Sequence, residues 1–140
     1  MNLTYENKIS YEDYKELRAS VNWREVSERQ YKLGMNNSHY ISVIKDKGKA
    51  VGLLRGLGDG GYYWLLSDVI IHPDYQGLGL GRKLMEDFLI HVDKQMRSGE
   101  VCNITLASSK GREAFYEKFG FFTRPHENFG AGMSMFKEKK

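Results

Sequence analysis

A chain of 140 residues, 41% apolar and 13% aromatic, is long enough to bury one substantial core and too apolar to be disordered. Its 21 Lys and Arg against 18 Asp and Glu leave a charge of +3, which serves solubility or draws an anionic ligand such as a nucleotide or RNA, without choosing between them. The single cysteine, Cys102, excludes an internal disulfide and any multi-cysteine zinc site; no metal is expected, and a buried structural thiol is.

In chain order, residues 1–6 carry no apolar signal core and no later run approaches a membrane span, so the expected compartment is the cytoplasm. Leu3, Tyr5 and Ile9 fall on alternate or near-alternate positions and predict a strand over 3–9. Ser10 is placed to cap a helix over 11–20, with Asp13 as a short version of the capping-box carboxylate. A second helix spans about 27–35 and ends at Asn36-Asn37. A hairpin follows: a strand over 39–44, a tight turn at Asp46-Lys47-Gly48, and its partner over 49–56. Gly58-Asp59-Gly60-Gly61 marks another turn. The nearly continuous apolar run over 62–72 suits a strand buried on both faces.

Leu80, Leu84, Met85, Phe88, Leu89, Val92 and Met96 recur at helical spacing and predict a helix over 80–96. A strand over 100–107, a short helix over 109–119 and two strands over 121–124 and 132–136 complete the pattern, with Pro73 and Pro125 as punctuation. No repeat, low-complexity tract or linker divides the chain, so residues 1–140 read as one domain. The order β-α-α-β-β-β-α-β-α-β-β predicts an α/β domain with a mixed central sheet.

The chemistry concentrates between the buried strand and the strong helix. Gln76-Gly77-Leu78-Gly79-Leu80-Gly81-Arg82 places three alternate glycines at a helix start, where unpaired amides and the helix dipole favour a phosphate group. Arg82 adds charge to that site or is simply solvated. A triphosphate loop requires Gly-Lys-Ser/Thr, and here Gly81 precedes Arg82-Lys83-Leu84. A dinucleotide fingerprint requires G-x-G-x-x-G, whereas Gly77, Gly79 and Gly81 give G-x-G-x-G in a chain too short for a second nucleotide-binding half.

Residues 68–82, with Gln76-x-x-Gly79-x-Gly81 after an apolar strand and His72-Pro73, resemble the Q/R-x-x-G-x-G/A segment of the GNAT acetyltransferase superfamily. Residues 114–121, Ala-Phe-Tyr-Glu-Lys-Phe-Gly-Phe, are similar to the same family's C-terminal Y-E-K-x-G-F motif. The resemblance implies a mostly antiparallel, mixed sheet of six to seven strands with a splayed pair, flanked by about four helices. It also implies acetyl-CoA as cosubstrate. The main chain of Val69, Ile70 and Ile71 would pair with pantetheine, one of their N–H groups polarising the thioester carbonyl as an oxyanion hole does. Gln76, Gly77, Leu78, Gly79, Leu80, Gly81 and Arg82 would hold the pyrophosphate.

Tyr116 matches a tyrosine that protonates the departing CoA thiolate, a task suited to a phenol of ordinary pKa near 10. Beside Phe115 and Phe119 it also reads as a core aromatic. Ser109 stands where many relatives have a cofactor-contacting asparagine; as serine it contacts pantetheine, caps the helix that follows, or does both. Lys110 and Arg112 meet cofactor phosphates or are solvated. Leu65 stands where histone-modifying relatives carry a glutamate base. Asp68 is the nearest carboxylate, but it serves equally well as a sheet partner; His72 reads as structural.

Acceptor selectivity in the family falls to segments that here hold Asn22-Trp23-Arg24-Glu25, Tyr31, Tyr62-Tyr63-Trp64 and residues 126–133. Glu25, His126 and Glu127 sit in segments that rim the acceptor and are candidates for the base that takes the amine proton, none of them decisive. Trp23 and Trp64 read equally well as packing. The implied reaction is acetyl transfer to a primary amine of a small molecule. Protein amines, aminoacyl-tRNA and a CoA-binding sensor without turnover remain as alternatives. The interleaved charge carries no basic stripe for nucleic acid, and a homodimer is allowed but not required.

Overall fold

Serine hydroxyls start the first two helices. The Ser10 hydroxyl accepts from the Asp13 N–H at 3.1 Å and opens α1 (Tyr11–Ser20). Ser27 and Gln30 exchange two bonds, each of 3.1 Å, in a full capping box that opens α2 (Glu28–Asn36). Each cap satisfies helix N–H groups that would otherwise lack partners.

The structure, a computed structural model, describes residues 1–140. They divide into two compact units, Met1–Thr105 and Leu106–Lys140. The first is built on a five-stranded sheet of β1 (Leu3–Glu6), β2 (Tyr40–Asp46), β3 (Lys49–Gly58), β4 (Tyr63–Ile71) and β5 (Asn103–Leu106), lying in that order. β1 to β4 are antiparallel neighbours. β5 reaches the β4 edge after the helical crossover of α3 (Leu80–Gln95), the connection that makes neighbouring strands parallel.

β4 carries a bulge. Gly56 pairs with Leu66 and Arg55 with Asp68, so Ser67 is the extra residue. A one-residue slip exchanges the two faces of a strand. Before the bulge, Trp64 and Leu66 share the face of Gly56, where Trp64 meets Phe88 of α3 at 5.3 Å between ring centroids. After it, Asp68 and Ile70 share the face of Arg55 and Leu53, and Ile70 packs with Tyr14 and Leu17 of α1. α3 therefore covers one face of the sheet and α1 the other.

The expectation that β4 is buried on both faces is corrected accordingly. Its burial alternates, with Tyr63 and Leu65 left 57% and 44% exposed. The run is continuous because the exposed and half-buried positions, Tyr63, Leu65, Val69 and Ile71, are apolar too, while the buried residues change faces at Ser67. No helix is long and apolar enough to cross a membrane.

In the second unit, α4 (Glu113–Glu117) carries an aromatic cluster: Phe115 lies 5.0 Å from Tyr116 and 5.3 Å from Phe119, and Tyr116 lies 6.0 Å from Phe121. Farther on, an isolated bridge joins His126 to Phe129 after a cis Arg124–Pro125 bond. The strands expected over 121–124 and 132–136 are not formed, which leaves five strands rather than six or seven. Strands are stabilised by cross-strand pairs over a buried face, and here Phe122, Met133 and Met135 are 49%, 95% and 82% exposed.

Candidate active site

The end of β4 and the start of α3 are held in a fixed relation. The His72 N–H donates to the Val51 carbonyl at 2.8 Å. Strand alternation then turns the backbone of Ile70 toward β3 and that of Val69 and Ile71 toward the opposite edge. The Ile70 side chain lies in the core. On the open edge the Gln76 side-chain amide donates to the Ile71 carbonyl at 3.0 Å, so Gln76 braces the loop against the strand. β5 meets this edge at the far end of β4, where the Asn103 N–H donates to the Tyr62 carbonyl at 2.8 Å. The two strands make few close approaches, and the Val69 and Ile71 backbones face the edge away from β3.

A 3₁₀ turn over Pro73–Tyr75 leads into the loop. His72 caps it, its Nδ1 accepting from the Asp74 N–H at 3.1 Å, in keeping with a structural role. The Tyr75 hydroxyl donates to Asp46 at 2.6 Å and pins the turn to the β2–β3 hairpin. That bond lowers the Asp46 carboxyl below its ordinary value and raises the Tyr75 phenol.

Gly77 and Gly79 adopt φ of +80° and +81°, a left-handed conformation costly for any residue with a Cβ. Gly79 is the N-cap of α3 and provides no side chain to its amides, and the first turn holds no acidic residue. Side-chain volume is absent as well: a Cβ at either glycine would meet nothing within 4 Å. Leu80, Gly81 and Arg82 thus present uncapped amides at the positive end of a 16-residue helix beside an exposed Leu78. These residues fit a pyrophosphate. Arg82 and Lys83 are drawn along their own helix, Arg82 to Glu86 at 3.3 Å and Lys83 to Asp87 at 2.9 Å, in exposed pairs that contribute little.

Asp68 is a sheet partner. Only 2% exposed, it accepts from the Tyr14 hydroxyl at 2.9 Å and from Arg55 Nε at 2.8 Å, and Arg18 Nη1 lies 3.5 Å away. Two guanidinium groups and a phenol occupy its oxygens inside the fold, which gives it a structural role. Tyr14, Arg18 and Arg55 are the residues that sequence reasoning missed. The readable signal was one charge inside each of two apolar strands, Arg55 well beyond the terminal Lys49 of β3 and Asp68 in β4, and an arginine one helical turn after Tyr14.

Other candidates are dispersed. Glu25 pairs with Lys15 at 3.3 Å in solvent. Trp23 packs partly buried against the core, and the Tyr31 hydroxyl donates to the Ile9 carbonyl. Trp64 is buried, as a packing residue should be. In the second unit, burial pushes the Tyr116 phenol up, and Arg112 offsets this only in part. His126 lies 4.0 Å from Glu127 and stacks on Phe122, and Arg124 lies over the Phe129 ring.

Two expectations are corrected. Ser109 does not cap α4, because that helix starts at Glu113 and the Ser109 carbonyl accepts the Arg112 N–H in a preceding turn. Cys102 is half-buried rather than buried, its thiol directed at the Gly61 carbonyl at 3.4 Å, because it precedes β5 instead of lying within it.

Residues 36–122 match the family model of the acetyltransferase (GNAT) domain, well over half of the chain. The chain belongs to the GNAT acetyltransferase family. Among its GNAT relatives it is 34% identical, over 127 residues, to the uncharacterized N-acetyltransferase ycf52 of Pyropia yezoensis, covering 88% of this chain and 71% of the relative. It is 30% identical to the chloroplastic serotonin N-acetyltransferase 2 of rice over 114 residues, 79% of this chain and 55% of that protein. A GNAT family acetyltransferase structure from Streptococcus pneumoniae superposes with a TM-score of 0.77 at 24% identity, covering 99% of this chain and 98% of the other. The chain is thus an N-acetyltransferase of the α/β GNAT fold, in a family that uses acetyl-CoA.

Proposed function

We propose that this GNAT protein transfers the acetyl group of acetyl-CoA directly to the primary amine of a small molecule within a ternary complex. The observation that carries this reading is the uncapped start of α3 behind Gly77 and Gly79, set beside the β4 edge at Val69 and Ile71 that faces away from β3. The amides of residues 78–82 hold the pyrophosphate. Val69 and Ile71 offer pantetheine the backbone groups that β3 does not use, and an N–H there polarises the thioester carbonyl. The amine nitrogen attacks the carbonyl carbon, the C–S bond breaks, the Tyr116 hydroxyl protonates the leaving thiolate, and water takes the ammonium proton. The family match spans residues 36–122 and supports reading both compact units as one acetyltransferase domain.

The small-molecule acceptor draws support from the β4 face that carries Tyr63 and Leu65. It is apolar and exposed, and Leu65 stands where a base would otherwise be. An amine with an aromatic body suits that face, in line with the serotonin acetylation named for the rice relative.

The test is CoA release from acetyl-CoA with tryptamine, serotonin, spermine, glucosamine, lysine and a peptide with a free N-terminus. Turnover with an arylalkylamine, at a kcat/KM well above that for the peptide, is expected. Preference for the peptide would move the assignment to protein amines, and acetyl-CoA binding without any turnover would make the chain a sensor.

A further inference from the structure

We propose that Arg18 is a positioning residue that holds the α1–α2 loop over β4 for the acceptor amine. The inference rests on the acetyltransferase reading above, in which the acceptor meets the β4 face of Leu65; Leu65 opposite Leu57 and Asp68 opposite Arg55 lie on one face of the sheet, the face over which Arg18 holds the loop.

The geometry separates Arg18 from an ordinary buried ion pair. Charge balance at Asp68 requires one guanidinium, and Arg55 provides it at 2.8 Å from the neighbouring strand while its Nη1 also reaches the Ser38 hydroxyl at 3.2 Å. Arg18 is the second cation and sits farther from the carboxylate, at 3.5 Å. Its short bonds go elsewhere. Nε and Nη2 converge on the Arg24 carbonyl at 2.8 and 2.6 Å, a two-pronged grip on the loop backbone that a guanidinium fork allows and an ammonium does not. The same group lies 5.5 Å from the ring centroids of Trp23 and Tyr14. One side chain therefore clamps loop carbonyl, loop indole and strand carboxylate together.

What it clamps matters for the site. The loop turns through Asn22 at φ 62°, a left-handed conformation that surrounding contacts must hold in place. Asp68 lies between the Ser67 bulge and Val69, the first residue whose backbone faces the open edge. Arg18 sets the distance between the loop and the strand segment on which the thioester carbonyl is polarised. None of Arg18's bonds reaches the glycine loop, so the grip on the pyrophosphate does not depend on it.

The experiment compares Arg18→Met and Arg18→Lys with the wild type, using acetyl-CoA and whichever amine of the panel above is turned over fastest. Arg18→Met leaves the Arg55–Asp68 pair neutral and intact, so the variant is expected to fold, checked by circular dichroism and thermal melting. Its KM for the amine is expected to rise about tenfold or more, while its Kd for acetyl-CoA stays within about twofold. Arg18→Lys is expected to fall between, because one ammonium grips a single partner. Should Arg18→Met not fold, Arg18→Lys decides by the same split. An unchanged amine KM, or equal losses for amine and acetyl-CoA, overturns the positioning role while leaving the acetyltransferase reading standing. A wild type that binds acetyl-CoA but acetylates no amine overturns that reading, and the proposal with it.

Discussion

Among single side chains, Tyr116 has the environment that the proposed acid role requires. Packing against Phe115 and Phe121 desolvates its phenol and raises it above the ordinary value near 10, so it stays protonated wherever the enzyme works. An acid must carry its proton, so its contribution to kcat is present below the raised value and lost as pH climbs through it. Tyr116→Phe is expected to lower kcat by about 10²-fold with little change in acetyl-CoA affinity. The wild-type pH–rate profile should keep its alkaline limb above about pH 10, and the variant should lack it. Unchanged turnover in the variant would remove Tyr116 from the mechanism. Gly79→Ala tests the other end of the cofactor. A φ of +81° at the α3 N-cap is strained for alanine by about 1–2 kcal/mol, and relaxing it shifts the amides that follow. Calorimetry should show acetyl-CoA binding weakened at least about tenfold. Both residues were visible in the sequence because each belongs to a local motif. Arg18 was not, since its partners Arg24, Trp23 and Asp68 meet only in three dimensions.

At the scale of elements, legibility followed how local the determining interaction is. Ser10 and Ser27 bond residues three positions away, and both helix starts could be read to within a residue. The β4 bulge depends instead on which β3 residue faces Ser67, so the apolar run over 62–72 looked buried on both faces while it was changing sides. The strands expected over 121–124 and 132–136 failed for a related reason. Alternation shows that a segment can pair, but a ladder also needs a neighbouring edge. The capping box offers a clean test, because Ser27→Ala removes the hydroxyl that receives the Gln30 N–H while keeping the backbone N–H that the Gln30 side chain accepts. A loss of about 1 kcal/mol is expected, seen as a fall of about 3 °C in Tm. Acetyl-CoA affinity should be untouched, since α2 contributes nothing to the glycine loop.

For the whole molecule, the dependence of stability on pH follows from which groups shift on folding and in which direction. Four exposed carboxylates are lowered: Glu6 by Lys45, Glu16 by Lys49, Asp46 by Tyr75, and Asp59 by the backbone N–H groups of Gly61, Tyr63 and Tyr62. A lowered group contributes stability above its unfolded value, about 4, and loses it as pH falls through the folded value. Five tyrosines are raised: Tyr14, Tyr31, Tyr40 and Tyr116 chiefly by burial, and Tyr75 by Asp46. Their contribution is complete below about 10 and lost above it. Tm is therefore expected to be level from about pH 5 to 9 and to fall on either side. The two limbs should differ in their response to salt. Glu6 and Glu16 are exposed carboxylates that owe their shifts to ion pairs with Lys45 and Lys49, which salt screens, whereas Asp59 is held by hydrogen bonds and the buried tyrosines by desolvation. Lys15, Lys49 and Lys83 are raised as well, by Glu25, Glu16 and Asp87 in exposed pairs, so melting curves at low salt and at about 0.5 M salt should show the acid limb partly flattened and the alkaline limb moved less, because about 0.5 M salt brings the screening length well under 10 Å. An alkaline limb that begins below pH 9, or one that salt abolishes, would show that surface charge rather than tyrosine burial governs stability there.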